Sequence, residues 1–278
     1  MPSFALRGIA LCLPAILGWL PLTAQTSSYH LVSDDRATGS SKVTLVNDSE
    51  KAIDAYGAFQ RCRSRRKIGA SNWSYDSKDI LQGFINVHGA RGGRPPRTGM
   101  IEPGGRWDTS LFVSPPNGVC DSQIGAVLFT DGSFEGTDTA VRALKAQRDG
   151  MAASVNYWAD RISRENPDGS TLGSFLDEIR RRVRDDQTKQ HRYRIGTGDV
   201  PPPLWDYWAG RLYVDQNIDQ GLPRNLSEEK ASQNFHRVAD EINAWKKKID
   251  SNVAMRKLNL LFPPISDPAE TGDRAEQP

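Results

Sequence analysis

The sequence predicts an α+β chain, a small antiparallel β-sandwich followed by an α-helical region. Short alternating apolar runs, separated by turn residues, fill residues 42–133. From about Thr137 the apolar period changes to that of a helix. Composition is globular, at 37% hydrophobic and 25% charged, and a mature length of about 250 residues suits one large or two small domains.

Residues 1–24 read as a signal peptide. One cation, Arg7, precedes the charge-free run Gly8–Leu20, and Pro21, Leu22, Thr23 and Ala24 follow as breaker and cut site. The run is well short of the ~20 residues of a spanning helix. Cys12 follows Leu11, whereas a lipid-attachment site wants a small residue there. No later stretch is apolar enough to span a membrane, so a periplasmic or secreted mature chain is expected. The 36 Lys+Arg face 34 Asp+Glu, a balance that gives no push towards nucleic acid or an anionic membrane. Cleavage leaves two cysteines, Cys62 and Cys120, an even number in an oxidising compartment, which points to a disulfide.

Residues 25–41, rich in Ser, Thr and Asp, read as a flexible leader. In the β part (42–133), Val43 and Leu45 begin a strand, and Asn47-Asp48-Ser49-Glu50 is turn chemistry. Ile53, Ala55, Gly57 and Phe59 share one face of a second strand that ends near Cys62. Ile80–Val87 reads as a further strand, and Gly89–Thr98 as an exposed loop. After the turn Ile101–Gly105, Trp107, Thr109, Leu111 and Val113 alternate, and Ile124–Phe129 reads as a central strand.

Residues 134–262 form the helical region. The first stripe is Val141, Leu144, Met151, Val155, Trp158 and Ile162, with Thr137 or Asp138 as cap. Its in-phase positions Gln147 and Arg148 are polar, and Gly150 follows, so the pattern allows a break into two helices there. The second stripe is Leu172, Phe175, Leu176, Ile179 and Val183; its far end is basic, which suits a helix C-terminus. Ser227 reads as the cap of a third long helix, with Ala231, Phe235, Val238, Ile242, Trp245 and Ile249 as its stripe, and 253–262 adds a short element. Such helices must pack on one another or on the sheet. Residues 263–278 read as a disordered tail.

The segments Val43–Ser49 and Lys51–Tyr56, the Pro103-Gly104-Gly105 turn and the strand end Val127–Ser133 together resemble the immunoglobulin-like sandwiches of uncharacterised exported bacterial proteins with a β domain ahead of helices. The resemblance covers about a third of the chain and rests on strand and turn patterns. It implies an immunoglobulin-like sandwich and no activity. The tryptophan that antibody domains carry between their cysteines has no convincing counterpart, since Trp73 and Trp107 sit in other settings.

No cofactor or metal is expected. His30, His88, His191 and His236 stand in no metal-ligand spacing, and neither a nucleophile elbow nor a phosphate-cradling loop is present. Asp131, Ser133, Glu135 and Asp138 miss the calcium-loop pattern and read as a strand-to-helix turn. Asp177-Glu178 and Asp185-Asp186 read as solvated helix face, because sequence neighbours on a helix diverge. Arg61, Arg63, Arg65, Arg66 and Lys67 read as a solvated basic loop. Three prolines, Pro201–Pro203, then lead into an aromatic-dense segment. Trp205, Tyr207, Trp208 and Tyr213 either plug the gap between the long helices or grip a protein or glycan partner. The expected function is a non-enzymatic binding or structural scaffold for an envelope or extracellular partner. The alternative is a secreted hydrolase-like enzyme whose acids are distant in sequence.

Non-reducing peptide mapping of exported protein should find Gln25 at the N-terminus and Cys62 linked to Cys120. A bridge across about 60 residues stabilises by about 4 kcal/mol in the chain-entropy model. Intact Met1 defeats the first expectation, and two alkylatable thiols defeat the second.

Overall fold

The computed structural model of the protein describes residues 28–37, 40–63, 71–85, 99–112, 119–164, 169–194, 203–222 and 228–265. The expected signal peptide, the Ser227 cap and the tail beyond Ile265 lie outside the described residues.

The chain is α+β, with two small antiparallel sheets. One has the order β1 (Tyr29–Ala37), β2 (Ser40–Asn47), β5 (Arg106–Phe112). The other runs β4 (Ser71–Asp79), β3 (Ile53–Arg63), β6 (Val119–Phe129), β7 (Phe134–Gly136). Six helices occur among the described residues: α1 (Ile80–Ile85), α2 (Asp138–Arg164), α3 (Gly169–Arg194), α4 (Pro203–Gly221), α5 (Glu228–Ser251) and α6 (Val253–Leu261).

The expected immunoglobulin-like sandwich is overturned. Leu45, Ile53, Tyr56, Ala58, Ile101, Val127 and Phe129 fill the space between the two sheets. The opposite face of the four-stranded sheet is also buried: Ala55, Ala126 and Leu128 pack against Ala140, Val141 and Leu144 of α2 and Leu258 of α6. A sheet covered by helix on its outer face is the middle of three layers, not half of a closed sandwich. The small alanines on that face let the helix approach.

Three local expectations change with it. Tyr29–Ala37, assigned to a flexible leader, is strand β1; it pairs with β2, and Tyr29 and Leu31 pack on the inter-sheet core. Ile80–Ile85, expected as strand, is helix α1. The Asp79 carboxylate accepts the Leu81 N–H at 2.8 Å, and Leu81 and Ile85, one turn apart, enter the helical core. Ile53 leaves the face of Ala55 and Phe59, because the β3–β6 register slips between Ile53 and Ala55. That bulge aims Asp54 towards α2, where it meets Arg148.

The turns follow their chemistry. The buried Asn47 side chain donates to the carbonyls of Lys51 and Ile101 and accepts from Ser49, tying the β2–β3 turn to the segment before β5. Asp131 accepts from the Ser133 N–H and hydroxyl and pairs with Lys51. The Ser133 bonds first, then Lys51, hold its carboxyl below the usual range. The β3–β6 register sets Cys62 opposite Cys120. Their side chains, like those of Arg61–Lys67, lie outside the described residues, and the disulfide stands as a proposal.

α2 is continuous, with no break at Gly150. Its 27 residues span about 40 Å at 1.5 Å per residue, enough to serve two cores. The Thr137 side chain caps its first turn. Ala140, Val141 and Leu144 cover the sheet, whereas Met151, Val155 and Trp158 join Phe175 and Ile179 of α3, Val214 and Ile218 of α4 and the α5 stripe in a bundle. The helices therefore build a core of their own and cover the β layers as well.

Gly150 marks the crossing of α2 and α4. A Cβ there would lie 1.9 Å from the Tyr207 carbonyl oxygen, and one at Gly210 would lie 2.0 Å from that of Gln147. Each helix presents its glycine to the other's backbone. Gly150→Ala should therefore lower stability by about 1–3 kcal/mol, whereas an ordinary exposed helical glycine gains by the same change. Urea unfolding of the variant checks this, and a stabilised protein would be inconsistent with the crossing.

Candidate functional site

Polar residues interrupt the apolar stripes of α2, α3 and α4 in phase with them. Such a residue must be buried, and a buried charge needs a partner. In α2 the interruption is Arg148, which is 0% exposed. Its Nε donates to Asp79 Oδ2 at 2.7 Å, and its Nη2 donates to Asp79 Oδ1 at 2.9 Å and Asp54 Oδ2 at 2.6 Å. Burial works against the cation, but Asp79 and then Asp54 overcome it and hold the guanidinium above its ordinary range. Burial pushes Asp79 upward, with Arg148 opposing. One turn away, Lys145 Nζ donates to Asp149 at 2.5 and 2.6 Å, both side chains buried. Asp149 also accepts the Ile265 N–H at 2.9 Å, anchoring the chain beyond α6. Burial pushes the Asp149 carboxyl up.

The second cluster joins α2, α3 and α4. Asp215 of α4 is 0% exposed. It accepts the Trp158 indole N–H at 2.7 Å, the Ser154 hydroxyl, and Arg182 Nε at 3.1 Å. Beside it Asp186 of α3, 2% exposed, lies 3.3 Å from Arg211 Nε. Burial raises the Asp186 carboxyl to about 7; Arg211 opposes, and Asp215 adds to the rise. The solvated-face reading of Asp186 is therefore corrected: it sits in phase with Ile179 and Val183, and its stripe turns inward. Glu178 is also engaged, accepting from the Tyr157 hydroxyl and from Arg161 at 3.0 Å.

The aromatic segment is the start of α4. Tyr207 and Trp208 are buried beside Ala146, with their rings edge-on at 5.4 Å. Lys189 Nζ lies 4.0 Å and the Arg211 guanidinium 4.5 Å from the Trp208 ring centre. Trp205 is half-buried, and the indole N–H groups of Trp205 and Trp208 meet no acceptor among the described residues. Tyr213 is half-buried, and its hydroxyl donates to the Gln82 carbonyl at 2.8 Å, tying α4 to α1. The structure thus brings Tyr207 and Trp208 together inside the protein, with Trp205 and Tyr213 at its edge.

Chemically the second cluster is an ion-pair network. The Ser154 hydroxyl donates to a carboxylate that two further donors already engage. His30 is exposed and contacts Asp48, and His191 and His236 are exposed; His88 lies outside the described residues. Among the described residues no group of three or more His, Cys, Asp or Glu is placed to hold a metal, and no helix is long and apolar enough to cross a membrane. The acids and bases of both clusters were missed in the sequence. The available signal was their phase: Arg148 in the first stripe, Asp186 in the second, and Arg211 and Asp215 one and two turns after Trp208.

Comparison with known proteins finds no matching family model, no matching characterised protein and no matching solved structure.

Arg148→Met should cost about 3–5 kcal/mol, because Asp54 and Asp79 are left buried without a cation. Adding Asp54→Asn and Asp79→Asn should recover part of that loss. Denaturant unfolding of the single and triple variants checks both; a near-neutral single variant would remove the joint its structural importance.

Proposed function

We propose that the protein is an exported, non-enzymatic scaffold that holds an envelope or extracellular partner, protein or glycan. One observation carries this reading. The buried acids and bases turn towards one another, within α2, between α2 and the strands β3 and β4, and between α3 and α4, and this pairing supports a role in holding the fold. The signal-like leader supports export, and the near balance of charge argues against nucleic acid as partner.

A second reading, a hydrolase-like enzyme, has a specific observation in its favour. Two acids distant in sequence, Asp186 and Asp215, converge in unequal surroundings, one raised to about 7 and one engaged by three donors. Such asymmetry is how paired carboxylates divide acid and base work. Their near-complete burial weighs against it.

The two readings separate in one set of measurements. Mature protein coupled to resin should retain a saturable partner from the solubilised envelope of its host, and free mature protein should compete that partner away. The same preparation should turn over no peptide, ester or glycoside substrate. Turnover that disappears in both Asp186→Asn and Asp215→Asn would overturn the scaffold and establish the hydrolase.

A further inference from the structure

Helix α6 has two unlike faces. Its inner face is buried: Leu258 packs with the outer side of the sheet, Met255 enters the bundle core, and Ala254 lies between them. The Asn252 side chain caps the helix by accepting the Met255 N–H at 2.8 Å. Past its other end, Phe262 packs on Phe134 with ring centres 5.8 Å apart, and the Ile265 N–H is held by Asp149. The helix is therefore fixed at both ends. Its outer face is apolar along the middle. At about 3.6 residues per turn, Val253 and Leu260 line up opposite the buried side, with Arg256 on one flank and Lys257 on the other. Leu260 is 86% exposed, Leu261 61% and Val253 42%. Single exposed apolar side chains need no explanation, but here three of them gather on one short helix.

We propose that the outer face of α6 is a membrane foot. It lies flat on an anionic phospholipid surface, with Leu260, Leu261 and Val253 entering the boundary between headgroups and acyl chains, and Arg256, Lys257 and Arg142 meeting the headgroup phosphates. The inference goes beyond the scaffold reading, since it holds whichever partner the protein retains.

Charge selects the occupant. Residues 253–265 contain Arg256 and Lys257 and no acid. Both cations are exposed, and neither enters an ion pair among the described residues. Arg256 donates to the Ser251 carbonyl at 3.5 Å. The Lys257 stem rests on Gly132, where an added Cβ would lie 2.6 Å from its Cδ. Asp131, in that same turn, is taken by Lys51. Arg142 of α2 is also exposed, and its guanidinium lies 4.8 Å from the Phe262 ring centre. The core of a protein–protein interface is depleted in charge, whereas a row of protruding apolar chains flanked by cations suits a bilayer. Its acyl layer accepts the apolar row, and its anionic headgroups complement the cations. The whole chain is near charge balance, so the attraction is local to this face and acts within a Debye length. No described helix is long and apolar enough to cross a membrane, and α6 lies on the surface instead.

Co-sedimentation of the full mature protein with vesicles tests the foot. Vesicles of equal parts phosphatidylglycerol and phosphatidylcholine should bind it, vesicles of phosphatidylcholine alone should bind it far less, and high salt should weaken the binding. Leu260→Ser and Leu261→Ser should each lower the partition coefficient about tenfold. Their melting temperatures should stay at that of the unaltered protein, because both side chains are exposed in the folded chain. Arg256→Gln and Lys257→Gln should each lower partitioning about fivefold. Met100→Ser, at an exposed apolar side chain outside α6, should leave it unchanged. Absence of co-sedimentation, equal binding to phosphatidylcholine alone, or full binding by Leu260→Ser would each overturn the proposal. So would a dimer, or a captured envelope protein, that is lost in Leu260→Ser while vesicles bind neither form, since the face would then belong to a second copy or to a protein.

Discussion

The contact on which the rest of the structure depends is the pairing of Arg148 with Asp54 and Asp79. Arg148 sits near the middle of α2, between the turns that cover the sheet and the turns that enter the bundle. Asp54 reaches it from a bulge in β3, and Asp79 from the junction of β4 and α1. One guanidinium therefore fixes the register of a helix, two strands and the start of another helix. Asp79 has a second task, since its Oδ1 also accepts the Leu81 N–H that begins α1. A shift of α2 by one turn would strand three buried charges, each costing several kcal/mol.

Buried pairs of this kind contribute little net stability, because desolvation consumes most of their attraction. The apolar contacts around them supply the stabilisation: Trp158, Phe175 and Phe235 form an edge-on chain through the bundle, and Val155, Ile179, Val214 and Val238 close around it. The ion pairs set geometry. The close crossing of α2 and α4 rests on the missing Cβ atoms of Gly150 and Gly210, which let each helix approach the other's backbone. Lys145, Arg148 and Asp149 precede the α2 glycine, and their partners lie on the strands, on α2 itself and on the chain beyond α6.

The helical half was legible in the sequence wherever a stripe was apolar. Phe235, Val238, Ile242, Trp245 and Ile249 are all buried on α5, as their spacing predicts. Legibility failed where local and tertiary preferences diverged. The polar gap at Gln147–Arg148 and the glycine after it read as a break, because a sequence does not display the carboxylates that complete Arg148 or the backbone that approaches Gly150. Ile80–Ile85 read as strand because its apolar run is too short to show a period, and the carboxylate that caps it as helix belongs to the preceding residue. The site was hidden for the same reason. Asp186 beside exposed Asp185 looks like solvated surface until α4 supplies Arg211 and Asp215.

By itself the sequence determined the turns, the apolar faces of α2, α3 and α5 and the α+β character, since each rests on chemistry within a few residues. Asn47 organises its own turn, Thr137 caps its own helix, and the stripes repeat at the helical period. Only the tertiary structure decided that the outer face of the sheet is covered, that α2 serves two cores, and that the in-phase charges are paired. Those outcomes need groups brought together from distant parts of the chain, such as Arg148 with Asp54 and Asp215 with Ser154. Whether a charge can be buried is settled by the partner that arrives, and neither its own side chain nor its neighbours in sequence carry that information.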